Sequence, residues 1–309
     1  MMKNEPNLRP ILQMTAIGDA IGAGYEYLPQ EEVEKFKIEW GWRQHPKHTE
    51  IEPGMFTDDT MLSFAAARAM ATDMTNDKNE KKIFRSDTLA QIMVDQHRDH
   101  RSTGYSKRML AALEAGPTGK DLEAYFDTNG RTDSNGAAMR SAVYGLIPSL
   151  PTIMACTWTA ARLTHDLGGL SSAQAVAVAS HFLVHKLGPK ADLGKFLREH
   201  VGTVWTLRFR DRVAPQNGPL GLITVAAALT IVQESQTLTE VLEESVRIGG
   251  DVDTVAAIAM ALAGSSEEIV DDLPERITRG VKPVAGITFD DLRDWDFDLT
   301  MMLDTGMLG

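Results

Sequence analysis

Apolar residues recur along most of this chain at intervals of three and four, the spacing that places them on one face of an α-helix. The pattern is clear in ILQMTAIGDAIGAGYEY, residues 11–27, and in SSAQAVAVASHFLVHKL, residues 171–187. Strict alternation of apolar and polar residues, which would predict half-buried strands, is scarce. Many helical positions hold alanine or glycine, so neighbouring helices can approach closely. The sequence therefore predicts an all-α fold, a compact bundle of many helices.

The segments between the predicted helices are rich in glycine, proline and charged residues. The longest of them, residues 37–54, also contains two tryptophans and two histidines. None is long enough or biased enough in composition to link two domains, so we predict a single domain over residues 1–309. The acidic run FDDLRDWDFDLTMMLD, residues 289–304, is interpreted as an exposed or docking segment with apolar anchors.

The balance of charge narrows the classes of partner. The chain of 309 residues carries a formal net charge of −12, which disfavours a nucleic-acid partner because nucleic-acid binding depends on Lys and Arg. The amino-terminal segment lacks the apolar core of a secretory signal, and no run of about eighteen apolar residues predicts a membrane span. The single cysteine, Cys156, is consistent with a reducing compartment. We therefore expect a soluble, cytoplasmic protein with no membrane partner.

Two of the predicted helices begin in the same way. TDDT, residues 57–60, and DVDT, residues 251–254, each combine two aspartates with threonine, and a loop containing glycine precedes both. Taken singly, each could be a helix cap, with Thr57 capping one helix and Asp251 the other, since such side chains accept hydrogen bonds from free N–H groups of the first turn. A cap needs only one side chain, however, and here four carboxylates stand on two helix starts.

Four carboxylates can converge only if their mutual repulsion is offset. Hard divalent cations do this, because Mg²⁺ prefers carboxylate, hydroxyl and water oxygens. Two such ions could share the oxygens of both helix starts. A third acidic segment, GDAIGAGYE at residues 18–26, adds Asp19 and Glu26. Taken alone, Asp19 is interpreted as a buried cap or hydrogen-bond acceptor and Glu26 as a solvated loop residue.

The order of these motifs resembles a known family. GDAIGAGYE, TDDT, NGAAMR, LTHD and GGDVDTVAAIAMALAG follow one another as in the ADP-ribosylglycohydrolases, the family of dinitrogenase reductase-activating glycohydrolases and ADP-ribosylhydrolases. The resemblance extends from about residue 11 to about residue 265. It implies a compact all-α fold with a binuclear Mg²⁺ centre, or Mn²⁺, at the floor of an ADP-ribose cleft. The metal ligands that it implies are Thr57, Asp58, Asp59, Asp251, Asp253 and Thr254.

The resemblance also implies residues for catalysis and for substrate binding. Glu26 matches a glutamate that acts beside the metals, and Glu26, Asp58 and Asp253 are the candidates for general acid or base. Residues 134–136 are expected around the diphosphate and the distal ribose, and glycines 249 and 250 are expected to let the backbone pass close to the metals. The predicted substrate-binding residues are Ser134, Asn135, Gly136, His165, Gly249 and Gly250.

The adenine end of the cleft departs from the pattern of some relatives. They carry an aromatic residue in the loop before the asparagine, whereas this chain has Thr132, Asp133 and Ser134 there. Adenine stacking is therefore expected from another part of the chain. The aromatic candidates are Trp40, Trp42, Trp205 and Phe209.

The resemblance implies an enzyme. The expected reaction is Mg²⁺-dependent hydrolysis of the N- or O-glycosidic bond between ADP-ribose and a modified protein side chain, with arginine as the default acceptor, which reverses mono-ADP-ribosylation. The expected partner is an ADP-ribosylated protein or an ADP-ribose conjugate, and a toxin or target protein is a further candidate. The residues leave open a serine or small-molecule acceptor, hydrolysis of a small nucleotide glycoside, and a non-catalytic ADP-ribose-binding, toxin-immunity or structural member of the fold. We favour the enzyme because a non-catalytic member has no reason to keep four carboxylates on two helix starts.

Overall fold

The computed structural model describes residues 9–75, 84–101, 103–206, 208–218 and 220–304. Over these residues the chain forms fifteen α-helices and five short 3₁₀ helices, and β-structure in this part of the chain is limited to isolated bridges. The predicted all-α fold is confirmed. The α-helices, in chain order, are α1 (Ile11–Ala23), α2 (Gln30–Val33), α3 (Asp58–Thr75), α4 (Ser86–His100), α5 (Lys107–Leu113), α6 (Gly119–Asn129), α7 (Gly136–Met139), α8 (Leu150–Arg162), α9 (Leu167–Val184), α10 (Leu193–His200), α11 (Leu220–Glu234), α12 (Leu238–Arg247), α13 (Val252–Gly264), α14 (Glu275–Thr278) and α15 (Phe289–Asp304).

Helices α1 and α13 pack along each other at the centre of the molecule, and every residue of both is buried. Small residues allow this close approach. A Cβ placed on Gly18 would lie 2.2 Å from the carbonyl oxygen of Ala256, and one placed on Gly22 would lie 2.3 Å from the Cα of Asp253. The end of α1, and the segment that follows it, are thereby held against the start of α13.

The other long helices surround this pair. Helix α3 packs on α1, and α9, α11 and α12 pack against α13. Their buried apolar side chains form one main cluster that extends from Ile11 to Leu299. A continuous core of this kind is typical of one packed domain, and the single domain over residues 1–309 stays a prediction.

No membrane span was predicted from the sequence, but helix α9 has the length and the hydropathy of one. It has 18 residues with a mean hydropathy of 1.3, so by length and composition it could cross a membrane. However, 72% of it is buried inside the protein. Such burial is typical of the central helix of a globular core.

The acidic segment at residues 289–304 forms α15, which packs on α1 and α3. Its apolar anchors are Leu292 and Leu299, both buried. The carboxylate of Asp296 accepts a hydrogen bond of 2.7 Å from the backbone N–H of Leu12, one of the free donors at the start of α1. Of the two interpretations, an exposed or a docking segment with apolar anchors, the structure supports docking for this face of the helix, because Asp296 and the two leucines lie on the side that packs.

Candidate active site

One cavity of about 400 Å³ brings most of the predicted site residues together. It lies where the starts of α3, α5, α7 and α13 meet the segment after α1. The predicted metal-site and catalytic residues that line it are Glu26, Thr57, Asp58, Asp59, Asp251, Asp253 and Thr254. The predicted substrate-binding residues that line it are Ser134, Asn135, Gly136 and His165.

Neither Thr57 nor Asp251 caps the helix that follows it with its own side chain. At the start of α3 the cap is Asp19, which accepts hydrogen bonds from the N–H groups of Thr57 at 2.8 Å and Thr60 at 3.0 Å. The hydroxyl of Thr57 itself donates to Asp19 at 2.8 Å. Asp251, at the start of α13, makes no side-chain cap and instead accepts a 2.8 Å hydrogen bond from the Asn135 amide. The interpretation of Asp19 as a buried acceptor agrees with this arrangement, and the capping roles considered for Thr57 and Asp251 were wrong.

The carboxylates of both helix starts are close to one another. One oxygen each of Glu26, Asp251 and Asp253 lie within 4.8 Å of one another. The hydroxyl of Thr254 approaches a carboxylate oxygen of Asp59 at 3.4 Å, which links the start of α13 to the start of α3. The other carboxylate oxygen of Asp59, Oδ1, is buried without a hydrogen-bond partner in the described part of the chain.

This crowding changes the acidity of the aspartates. Burial raises the pKa of Asp58, Asp59 and Asp253 well above the usual aspartate value, and the neighbouring carboxylates raise each pKa further. Burial also raises the pKa of Asp251. A bound cation would compensate the charge of these carboxylates and would reverse the direction of these shifts. The orphaned oxygen of Asp59 and the hard oxygen donors around it fit Mg²⁺ or Mn²⁺.

Two residues at this end of the cavity were missed by sequence reasoning. His45 is buried, and its Nε2 lies 2.8 Å from a carboxylate oxygen of Glu26. Gly104 has a φ of 100°, and a Cβ placed on it would lie 2.6 Å from the Oδ1 of Asp58. A left-handed residue against a carboxylate requires glycine. Both residues lie in loops, where no periodicity indicates which side chains face a site.

The predicted substrate-binding loop surrounds a neutral histidine. The Nε2 of His165 accepts a hydrogen bond of 3.2 Å from the N–H of Ala137, so the proton of the ring lies on Nδ1, which is 2.6 Å from the hydroxyl of Thr164. The hydroxyl of Ser134 lies 3.1 Å from Nε2 and donates to it. Burial, together with the charges of Arg140 and Arg108, lowers the pKa of His165 well below its usual value. The histidine is therefore an uncharged hydrogen-bonding partner at this wall.

Cations lie in the same cavity as the carboxylates. Lys107, Arg108 and Arg140 line it. The arginines donate to neutral oxygens: Arg108 to the carbonyl of Asn129 at 2.6 Å, and Arg140 to the hydroxyl of Thr164 at 2.8 Å. Within the described residues, none of the three cations forms an ion pair with a carboxylate. The cavity thus offers positive charge to a ligand as well as a cluster of acidic oxygens.

The two predicted substrate-binding glycines lie behind the cavity wall. Gly249 and Gly250 have φ values of 74° and 91°, and neither is among the described residues that line the cavity. A Cβ on Gly250 would lie 1.9 Å from the carbonyl oxygen of Val213, and the N–H of Asp251 donates to that same oxygen at 2.8 Å. Their conformation therefore serves the contact with Val213 that fixes the start of α13, and a role in substrate binding stays a prediction.

The aromatic residues of the cavity differ from the predicted adenine candidates. Of those candidates, Trp205 is buried in the core and Trp40 is 51% exposed, and among the described residues none of the four lines the cavity. The aromatic side chains that do line it are Tyr27, Tyr105 and Phe126. Composition does not show which aromatic residues face the core and which face a cleft, so the sequence could not single out the aromatic residues of this cavity.

Comparisons with known proteins identify the family of this chain. The family model for ADP-ribosylglycohydrolases matches residues 9–304, so the match extends beyond residue 265 to include α15. The ADP-ribosyl-[dinitrogen reductase] glycohydrolase of Rhodospirillum rubrum is 26% identical over 280 residues, which cover 84% of each chain. A solved ADP-ribosylglycohydrolase-related protein complex contains a chain with a TM-score of 0.67 and 22% identity, matched over 95% of this chain and 96% of that one, and it has the same fold. This protein belongs to the ADP-ribosylglycohydrolase family and is a glycohydrolase enzyme.

Proposed function

We propose that this enzyme hydrolyses the glycosidic bond between ADP-ribose and a modified protein side chain, and that it does so with Mg²⁺ held by the two acidic helix starts. The observation that carries the proposal is the convergence of Glu26 with the aspartates of α3 and α13 in one cavity that also exposes cations without carboxylate partners. The volume of about 400 Å³ is typical of a site for a small ligand.

The metal-binding role is supported by the chemistry of the donors. Carboxylates and threonine hydroxyls from both helix starts would hold two Mg²⁺ ions, or Mn²⁺, and the unpartnered Oδ1 of Asp59 is a ready ligand atom. The hydroxyl of Thr57 donates its proton to Asp19, which leaves its oxygen lone pairs for a cation. When bound, Mg²⁺ supplies a Lewis acid that orients ribose hydroxyls and lowers the pKa of a water molecule.

The rest of the cavity suits the ADP part of the substrate. Arg108 and Lys107 provide positive charge for a diphosphate, and the neutral His165 with Ser134 provides uncharged hydrogen-bonding groups. Tyr105 and Phe126 offer apolar rings for the base. These positions replace the aromatic candidates that the sequence suggested.

Glu26 is the residue that we propose to carry a proton in the reaction. Cleavage at the anomeric carbon passes through an oxocarbenium-like transition state, and one carboxyl group must protonate the leaving group or take a proton from water. Glu26 borders the acidic cluster, and 18% of its side chain remains exposed, so it can exchange protons at the mouth of the cavity. Asp58 and Asp253 would hold the cation in this scheme, and the cation would supply the charge that orients the ribose.

We propose arginine as the modified acceptor, and thus reversal of mono-ADP-ribosylation in the cytoplasm. The support is the carboxylate-rich end of the cavity, because a guanidinium leaving group pairs well with carboxylates. An ADP-ribosylated target protein is the proposed partner. ADP-ribosyl-serine and small nucleotide glycosides are the competing substrates.

The test uses the full chain with ADP-ribosyl-arginine peptide, ADP-ribosyl-serine peptide and a nucleotide glycoside, each in Mg²⁺, Mn²⁺ and EDTA, with released ADP-ribose or base as the readout. The expected result is release from the arginine peptide that requires the divalent cation. Equal release in EDTA would contradict the metal-dependent reaction. Release from the serine peptide or the nucleotide glycoside alone would correct the acceptor, and ADP-ribose binding without release from any substrate would favour a non-catalytic role.

A further inference from the structure

His45 lies in a surface loop but is held as firmly as a core residue. Its side chain is 3% exposed, and both ring nitrogens have partners. Nδ1 accepts the backbone N–H groups of Lys47 and His48, each at 3.0 Å, and Nε2 lies 2.8 Å from Oε2 of Glu26. A ring nitrogen that accepts two N–H groups carries no proton. The ring is therefore the neutral tautomer in which Nε2–H donates to Glu26.

The turn that presents this ring is built by its own side chains. The amide of Gln44 donates to the backbone carbonyls of His48, Thr49 and Ile51 at 3.2, 3.3 and 2.7 Å. This closes residues 44–51 into a compact turn, and the buried Ile51 anchors it. The two N–H groups that fix the tautomer of His45 come from the same turn. The orientation of the ring is thus a property of the loop and does not depend on a ligand.

Glu26 needs such a partner because of its position. One of its oxygens lies within 4.8 Å of ligand oxygens on Asp251 and Asp253, so repulsion would turn a free carboxylate toward solvent. A cationic partner would hold Glu26 but would neutralise it. A neutral N–H donor holds one oxygen in place and leaves the negative charge and the second oxygen available.

We propose that His45 is a positioning residue that holds Glu26 beside the acidic cluster and acts only through it. The hydrogen bonds of His45 support the claim that it positions Glu26. The catalytic consequence rests on the function proposed above, because it needs Glu26 to take part in turnover. Outer partners of this kind typically contribute 10–100-fold to activity or to metal affinity.

The positional part can be tested without substrate or metal. The full chain labelled with ¹⁵N-histidine is examined by two-bond ¹H–¹⁵N correlation, and the signal that His45→Gln removes is assigned to His45. We expect the neutral Nε2–H tautomer, and a change in its Nε2 shift in Glu26→Gln. An Nδ1–H tautomer, or a His45 signal that Glu26→Gln leaves unchanged, would overturn the proposal. This readout decides the matter even if no ADP-ribosyl substrate is turned over.

The catalytic consequence is tested by a matched pair of variants. His45→Phe keeps the shape of the ring and removes the donor, whereas His45→Gln places an amide N–H near the position of Nε2. We expect His45→Phe to lower kcat by about 10–100-fold with little change in KM, and His45→Gln to recover part of that loss. In a Glu26→Gln background, His45→Phe should have no further effect. Wild-type kcat in His45→Phe, or an additional loss in the double variant, would refute an action through Glu26. Circular dichroism of each variant confirms that the helical fold is retained.

Discussion

Replacing Asp19 should separate two tasks that its buried carboxylate performs. Oδ2 accepts hydrogen bonds from the N–H of Thr57, the N–H of Thr60 and the hydroxyl of Thr60, which together hold the start of α3. Oδ1 accepts a hydrogen bond from the hydroxyl of Thr57. This bond fixes the direction in which the lone pairs of the hydroxyl oxygen point. The first task concerns stability, and the second concerns the proposed metal site.

Asp19→Ala removes the acceptor of all four donors. The two hydroxyls can rotate to other acceptors, but the two backbone N–H groups cannot, and each buried donor left unsatisfied costs about 1–3 kcal/mol. Part of this loss is returned, because burial of the carboxylate is itself unfavourable and is the main cause of its raised pKa. We therefore expect the free energy of unfolding to fall by about 2–4 kcal/mol, which a domain of about 5–15 kcal/mol survives.

Asp19→Asn should behave differently. Its carbonyl oxygen can replace Oδ2 and keep three of the four hydrogen bonds, so the loss of stability should be about 1 kcal/mol or less. Its amide then faces the hydroxyl of Thr57 and donates to it, so the hydroxyl proton must turn toward the acidic cluster. That proton would point to the place where the proposed cation would bind. We expect Mg²⁺ affinity to fall at least tenfold, about 1.4 kcal/mol.

The assay combines urea denaturation in EDTA with calorimetric titration of Mg²⁺ and Mn²⁺. Thr57→Val, which lacks the hydroxyl, is the matched control and should lose metal affinity to a similar extent as Asp19→Asn. Wild-type Mg²⁺ affinity in Asp19→Asn, or unfolding of Asp19→Ala at the wild-type urea concentration, would refute these two roles of Asp19.

Three further perturbations test other parts of the structure. Asp59→Ala should abolish Mg²⁺-dependent release of ADP-ribose and leave the free energy of unfolding in EDTA unchanged or higher, because it removes one of several mutually repelling buried carboxylates; lower stability in EDTA would contradict this. Gly104→Ala should cost about 1–3 kcal/mol by urea denaturation and lower kcat/KM, since its Cβ would displace Asp58. The control is Gly286→Ala, because Gly286 has a φ of 84° and nothing lies within 4 Å of the added Cβ. Equal losses of kcat/KM in both variants would count against the contact between residue 104 and Asp58. Burial raises the pKa of Asp296 from 3.8 to about 8, so between these values the folded state keeps a proton that the unfolded state loses. Wild-type stability in EDTA should therefore fall as pH rises through this window, by up to about 1.4 kcal/mol per pH unit from this group. Asp296→Asn should lack the pH-dependent contribution of this carboxyl group. Parallel stability–pH curves for the wild type and the variant would disprove the raised pKa of Asp296.

The acidic cluster could be predicted from the sequence because most of its carboxylates are local to two helix starts. Two aspartates with threonine after glycine are visible in TDDT and in DVDT, and the helical period behind each predicts the element that holds them. The all-α fold followed from the same period. Asp19 could be interpreted as a buried acceptor because a polar residue in an otherwise apolar helix needs a partner.

The loop residues could not be predicted in this way. His45 and Gly104 reach the site only through the path of their loops, and nothing in the neighbouring sequence reports that path. Trp205, one of the four aromatic candidates for adenine, is buried in the core, and its burial depends on how distant segments pack. The docking face of α15 was likewise hidden, because the partner of Asp296 is Leu12, 284 residues away in the sequence.

That last contact has a consequence for how the enzyme is made. Asp296 holds the start of α1, α1 supplies the carboxylate that holds the start of α3, and α1 finds its main packing partner only in α13. A growing polypeptide that has not yet reached α13 therefore lacks two of the four aspartates of the acidic helix starts and the surface that α1 must cover. Contacts so distant in sequence make folding slow, and α1 would remain exposed during synthesis as an apolar segment that chaperones could bind. The order of translation thus delays assembly of the catalytic centre until nearly the whole domain has emerged.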